Sequence, residues 1–250
     1  MAHQLPAMGP TDTRGIFPWL IASALVFVAI ALVFAANRLA KSRTTQLFGE
    51  LVTSVETSDS VVALTFDDGP VAPYTDSILD LLRDERVKAT FFVIGSSVAR
   101  HPDLARRMVG EGHELGNHSY SHDRMVLMSQ PRIRREVENT DSLIRAAGGT
   151  GRIAFRPPYG KRLVALPWYL ARTGRTTVLW TLEPDTWFRD RKSMADHVAR
   201  NVRPGSIIIL HVEIPSRVEE RAALRQIIAD LKARGYRFLT VSELMARRNT

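Results

Sequence analysis

The sequence predicts an α/β domain, a barrel of seven strand–helix units, preceded by a single N-terminal transmembrane helix. Two patterns carry this expectation. From Ser60 onward, apolar runs of strand length alternate with longer amphipathic stretches, the order that builds βαβ units and a parallel sheet. Ahead of them, no charge occurs in the 23 residues between Arg14 and Arg38, most of which are Leu, Ile, Val, Phe and Ala.

The expected strands are Val61–Phe66, Ala89–Ile94, Glu114–Asn117, Ile153–Phe155, Thr177–Thr181, Ser206–Leu210 and Arg237–Thr240. Between them lie the expected helices Tyr74–Arg86, Pro102–Gly112, Pro131–Ala147, Val164–Thr173, Ser193–Val202 and Val218–Arg234. In the first of these helices Ile78, Leu79, Leu81 and Leu82 recur at helical spacing. Seven such units fit a closed or nearly closed barrel better than an open sheet. This gives three regions: residues 1–37 with the span at about 16–36, a polar juxtamembrane linker at 38–59, and a catalytic-size domain at 60–246. The linker is expected to hold a short helix around Gln46–Val52.

At ~1.5 Å rise per residue the uncharged segment can cross a hydrocarbon core of ~30 Å. Trp19 stands near one end, where an aromatic ring favours the interface. A cleaved signal peptide is the other reading, but its apolar region is usually only ~7–15 residues. Orientation has two opposed indications. Arg38, Lys41 and Arg43 follow the span and only Arg14 and the terminal amine precede it, which by the positive-inside rule places the domain in the cytoplasm. The chemistry of the strand ends points to an external substrate, and the expectation adopted is an extracytoplasmic domain.

The absence of cysteine excludes disulfides, thiolate ligands and a cysteine nucleophile. The net charge of +8 is uneven: residues 151–250 carry 19 basic and nine acidic groups. That half suits an anionic neighbour such as an acidic glycan or a lipid surface. A general richness in arginine is the alternative reading. The arginines are scattered singly, with no basic run interleaved with aromatics, so nucleic acid is not an expected partner.

Function is read from the residues just past each strand, because the active site of an α/β barrel lies at the C-terminal strand ends. The first strand runs into Asp67-Asp68-Gly69-Pro70. Adjacent carboxylates there need a cation, a shared proton or an arginine, unless they form an ordinary solvated turn. The third ends in His118-Ser119-Tyr120-Ser121-His122, whose two imidazoles can reach one metal ion if the segment turns helically. The fourth ends in Arg156-Pro157-Pro158-Tyr159-Gly160. Arg156 can grip a carboxylate, and Tyr159 is the first residue after the prolines with a backbone N–H. The fifth runs into Trp180 through Trp187, with Glu183 and Asp185 between them, a carbohydrate-facing wall or a pair of core aromatics. The sixth ends at His211, a structural histidine or a general acid.

These five segments, in this order, resemble the motifs of the polysaccharide deacetylases (carbohydrate esterase family 4, the NodB homology domain) over about Val61 to Leu244. The resemblance implies a distorted (β/α)7 barrel and one divalent metal, usually zinc (Zn2+). It implies hydrolysis of N-acetyl groups on N-acetylglucosamine-type residues of a carbohydrate polymer such as peptidoglycan, chitooligosaccharide or an exopolysaccharide. By position it makes Asp67 the general base, and Asp68, His118 and His122 the metal ligands. Arg156 would hold Asp67, the Tyr159 N–H would serve an oxyanion, and His211 would be the general acid. Trp187, Ile209 and Pro157 would form the pocket for the acetyl methyl.

Two positions depart from the family pattern. Thr186 stands between Asp185 and Trp187, so Asp185 is expected to orient His211, with Glu183 as the alternative. Val212 follows His211 where the family often has Asp. A metal hydrolase of non-sugar amides and a non-catalytic glycan-binding protein are the competing functions.

Overall fold

The computed structural model describes residues 16–248, and the chain divides into two compact units between Leu39 and Ala40. Arg14, the basic side chain that precedes the apolar segment, lies outside the described residues. The described residues of the first unit belong to one helix of 25 residues, α1 (Ile16–Ala40), whose last residue falls in the second unit. At ~1.5 Å per residue it is long enough to span a bilayer. Trp19, Leu25, Phe27 and Phe34 on it are all exposed.

The second unit runs β1 (Leu51–Val52), β2 (Val61–Asp67), α2 (Tyr74–Asp84), β3 (Thr90–Val93), α3 (Gly95–Arg100), α4 (Pro102–Gly110), β4 (Glu114–Asn117) and α5 (Gln130–Ala146). It continues with α6 (Ala165–Arg172), β5 (Thr177–Val178), α7 (Pro184–Trp187), α8 (Arg191–Asn201), β6 (Ile207–Leu210), α9 (Val218–Ala233), β7 (Arg237–Leu239) and α10 (Val241–Met245). Every strand ladder is parallel. The hydrogen-bonded order is β4-β3-β2-β6, with β7 beside the first half of β2 and β1 paired to β5. Single-residue parallel bridges, Asn117 to Phe155, Phe155 to Thr177 and Leu182 to Ile208, carry the order round from β4 to β6.

Strand alternation decides which side chains meet inside this circuit. On β2, Val62, Leu64 and Phe66 face the helices and join the larger core with Leu79, Leu82, Ala223 and Ile227. Val61 and Ala63 face inward, against Phe92, Ile207 and Ile209. The same parity continues to Thr65 and Asp67 on β2 and to His211 just past β6. The barrel interior is thus apolar at its base, and its polar residues come where the strands end.

Several expected elements are shorter. Ile153–Phe155 contributes only the bridges through Phe155, and Thr177–Thr181 contracts to Thr177–Val178. The short helix expected around Gln46–Val52 is not formed. Leu51 and Val52 instead make a strand in register with Thr177 and Val178. Beyond it, the Val55 N–H donates to the Gly205 carbonyl at 2.9 Å. Val52 and Val55 are buried, so their apolar side chains complete the barrel interior.

Arg162 fixes the chain just before this strand. It is 1% exposed. Its guanidinium donates to Gln46 Oε1 at 2.8 Å, to the Ser42 carbonyl at 2.9 Å, to the Thr45 carbonyl at 3.2 Å and to the Gly160 carbonyl at 3.1 Å. Its backbone N–H donates to the Ala40 carbonyl at 3.1 Å. Residues 40–52 are therefore part of the folded unit.

Candidate active site

A cleft of about 480 Å³ opens at the C-terminal strand ends. Asp67, Asp68, His118, His122, Tyr159 and His211 all line it. Residues from four of the five polar segments thus come together there, and Trp180 and Glu183 bring the remaining one.

Asp67 is 2% exposed and Arg156 is wholly buried. Arg156 Nη1 donates to Asp67 Oδ1 at 2.6 Å and to Thr65 Oγ1 at 2.9 Å. Its other nitrogens reach the Val178 and Leu179 carbonyls, and its guanidinium lies 3.9 Å over the Phe92 ring. Phe92 can lie there because Gly116 is beside it; a Cβ at Gly116 would fall 2.5 Å from the ring. Burial pushes the Asp67 carboxyl up, but the charges of Arg156, His118 and His211 outweigh it and hold the carboxyl below its ordinary value. Asp67 is ionised at neutral pH, with Oδ1 gripped and Oδ2 facing His118 Nε2 at 3.6 Å.

Asp68, His118 and His122 present ligand atoms that all lie within 4.8 Å of one another. Asp68 Oδ1 is 3.5 Å from His118 Nε2 and 3.2 Å from His122 Nε2. His118 Nδ1 lies 2.7 Å from the Arg156 carbonyl. Nδ1 donates to that oxygen, which turns Nε2 toward the carboxylate. Burial and the neighbouring His118 hold the His122 imidazole below its usual pKa, against the pull of Asp68 and Asp67. The Asp68 Oδ1 atom is buried and has no hydrogen-bond donor among the described residues. One carboxylate and two imidazoles directed at one point fit a divalent cation.

The segment between the histidines is shaped by its own polar groups. Glu136, 7% exposed, accepts from the N–H groups of Tyr120 and Ser121 and from the Ser121 hydroxyl. Ser119 donates its N–H to Asn117 Oδ1, and its hydroxyl accepts from the His122 N–H. Asp68, Ser119, His122 and Tyr159 have φ of 76°, 66°, 59° and 60°, in the left-handed region. Each such non-glycine residue costs about 1–3 kcal/mol, a strain that persists where surrounding bonds over-determine the backbone.

Asp185, not Glu183, is bonded to His211. Asp185 is wholly buried, and its Oδ2 accepts from the His211 N–H at 2.7 Å and lies 2.9 Å from His211 Nδ1. Burial alone would lower the His211 pKa, but the Asp185 bond and the charges of Asp185, Asp67 and Asp68 raise it to about 9. Glu183 accepts instead from Trp180 Nε1 and Thr186 Oγ1 and pairs with Arg43.

The residues expected to form a methyl pocket lie outside the lining of the cleft. Ile209 is wholly buried in the barrel interior, Pro157 is buried, Trp187 is 69% exposed, and none of the three lines the cleft. Leu179, Trp180 and Ile214 supply its apolar wall instead, and Lys41, Arg43, Lys161 and Arg217 its basic rim. Trp180 was readable as a wall residue from its place at the fifth strand end. Lys41 and Arg43 carried no such signal, because the sequence places them in a linker.

Glu213 is a further buried acid that sequence reasoning missed. It is wholly buried, accepts from the Thr75 hydroxyl, and lies under the turn after Asp68. A Cβ at Gly69 would fall 2.0 Å from Glu213 Oε2. Burial pushes its pKa up to about 8, with Asp68 and Asp67 adding to the rise against the Thr75 bond.

A family model described as polysaccharide deacetylase matches residues 54–178. A peptidoglycan-N-acetylglucosamine deacetylase of Bacillus cereus is 36% identical over 200 residues, 79% of this chain and 93% of that protein. A chitooligosaccharide deacetylase of Sinorhizobium fredii is 37% identical over 187 residues, 70% of this chain and 87% of that protein. A solved peptidoglycan N-acetylglucosamine deacetylase, in complex with 4-naphthalen-1-yl-N-oxidanyl-benzamide, is similar with a TM-score of 0.74 and 30% identity. The match covers 80% of this chain and 95% of that one.

Proposed function

The chain belongs to the polysaccharide deacetylase family, and from that premise we propose that it is a membrane-anchored, metal-dependent enzyme removing N-acetyl groups from N-acetylglucosamine-type residues of peptidoglycan. The observation that carries this reading is the convergence of Asp67, Asp68, His118, His122 and His211 on one cleft, with the Asp68 Oδ1 atom buried and lacking a donor among the described residues. The peptidoglycan deacetylase of Bacillus cereus supports the choice of polymer.

Asp68, His118 and His122 would hold the cation, and zinc suits one carboxylate with two imidazoles. Such an ion, when bound, supplies Lewis acidity toward the amide carbonyl and acidifies water. Asp67, ionised and fixed by Arg156, takes a proton as water adds to the acetyl carbon. The Tyr159 N–H, turned by its left-handed backbone, offers a donor to the developing oxyanion; one such donor is typically worth about 3–4 kcal/mol of barrier. His211, with Nδ1 on Asp185, gives its Nε2 proton to the amine nitrogen as the C–N bond breaks. Acetate and a free amino sugar leave.

The α1 helix serves as a single-pass anchor in this reading, with the domain on the extracytoplasmic side, where cell-wall glycan lies. The basic residues after the span have a use in the folded domain: Arg43 pairs with Glu183 and Lys41 lines the cleft. Their presence there has a cause other than membrane orientation.

The test is mass spectrometry of peptidoglycan fragments and N-acetylglucosamine oligomers after incubation with the full chain in detergent, with zinc, with chelator, and with zinc restored. Loss of acetyl groups that stops on chelation and returns with zinc is expected. Unchanged glycan masses under all three conditions would overturn the assignment.

A further inference from the structure

The basic residues around the cleft are not equivalent. Arg156 is neutralised by Asp67, Arg43 by Glu183, and Arg217 by Glu220 at 2.6 Å. Lys41 and Lys161 line the same cleft, and Arg124 sits 5.4 Å over the ring of Tyr159, which also lines it. Among the described residues, none of these three cations forms an ion pair with a carboxylate. They are close enough to repel: partial burial, then the charges of Arg124 and Lys41, hold the Lys161 ammonium below its ordinary pKa.

The arrangement is built. Lys41 belongs to the segment that Arg162 binds through the carbonyls of Ala40, Ser42 and Thr45, and Arg162 also holds Gly160, the residue before Lys161. One buried guanidinium thus fixes both lysine-bearing stretches on the side of the cleft where Tyr159 stands. Acids that could have neutralised them are committed elsewhere. Glu183 is taken by Arg43, Trp180 and Thr186, and Asp123 by Arg132.

We propose that Lys41 and Lys161 in the wall of the cleft, with Arg124 stacked on Tyr159 beside it, form an anion-recognising subsite, so that the enzyme selects glycans carrying an acidic group beside the acetamido sugar it deacetylates. The inference rests on the deacetylase reading and deepens it. Carboxylate and phosphate are the chemistries that would be recognised. A substituent on the glycan is favoured over a lipid headgroup because the lysines share one cleft with Asp67 and His211, and a headgroup seated there would obstruct the acetamido group.

The experiment compares four substrates with the full chain in detergent at low and high salt. They are neutral N-acetylglucosamine oligomers, muropeptide fragments with free carboxylates, the same fragments amidated, and a phosphorylated oligomer. The parent should favour the acidic substrates by about tenfold in kcat/KM at low salt, through KM, with the preference shrinking as salt rises. Preference for the carboxylate over the phosphate arm, or the reverse, identifies the group. The double variant Lys41→Ala, Lys161→Ala should bring the acidic-to-neutral ratio near unity, and Lys161→Glu should invert it.

An unchanged ratio in the variants overturns the subsite. So does an equal loss on neutral and acidic substrates with an unchanged Tm. So does an unchanged ratio accompanied by lost binding to vesicles containing anionic lipid, which would assign the lysines to a headgroup surface. Acetate release by the parent from neutral oligomers reports the deacetylase reading separately. Titration calorimetry with the acidic and amidated fragments reports the subsite independently of turnover.

Discussion

His118 Nδ1 lies 2.7 Å from the carbonyl oxygen of Arg156, whose side chain grips Asp67. One residue therefore orients a proposed metal ligand through its backbone and the proposed base through its guanidinium. The two contacts can be separated by mutation, since substitution removes only the second.

Arg156→Met should leave Asp67 buried without a partner and lower stability by about 3–5 kcal/mol, read as a drop in Tm. Turnover should fall with it. Zinc content should be largely kept, because the Arg156 carbonyl still orients His118.

His118→Ala and His122→Ala should lose metal and activity together. His211→Ala should retain metal and lose about 10²–10⁴-fold in kcat, the usual worth of a positioned acid. Metal analysis beside turnover on the same preparations separates the two groups. Equal metal content in all three variants would contradict the ligand assignment.

His211 predicts a pH dependence of known sign. Its pKa in the folded, metal-free chain is raised to about 9 from an ordinary 6.5. Its contribution to stability is therefore complete below about pH 6.5 and is lost as pH rises through about 9. An NMR titration of the metal-free chain should find the midpoint there, and Asp185→Asn should move it down. Zinc should also move it down, because a cation at Asp68 opposes protonation of a nearby imidazole.

Glu213→Gln tests the acid beneath the Asp68–Gly69 turn. The folded chain keeps the Glu213 proton up to about pH 8, whereas the ordinary value is 4.5. That contribution is complete below about pH 4.5 and is lost as pH rises through about 8. Glutamine retains an acceptor for Thr75 without ionising. The parent's Tm should fall more steeply between about pH 5 and 8 than the variant's.

The polar strand ends were legible because each comes after an apolar run, so a carboxylate or imidazole stands out against its neighbours. The parity of β2 and β6 is also visible in sequence: Val61, Ala63, Thr65 and Asp67 share one face, as do Ile207, Ile209 and His211. The same parity explains why Ile209 lies in the interior beneath the cleft. β1 was not legible, because two residues carry no periodicity and their partners, Thr177 and Val178, lie far along the chain. The choice between Glu183 and Asp185 depends on how the four-residue helix α7 is rotated, and short helices leave that to tertiary packing. Glu213 was hidden because a buried glutamate reads as a surface one until its surroundings are known.

The Arg162 contacts also govern where the chain can be cut. With residues 40–52 incorporated into the fold, trimming the chain back to residue 60 would delete β1 and three of the four acceptors that the Arg162 side chain uses, leaving only the Gly160 carbonyl. A soluble form begun there would bury an under-satisfied guanidinium and open the barrel interior beside Val178, so the boundary for expressing the enzyme without its apolar helix belongs at Ala40.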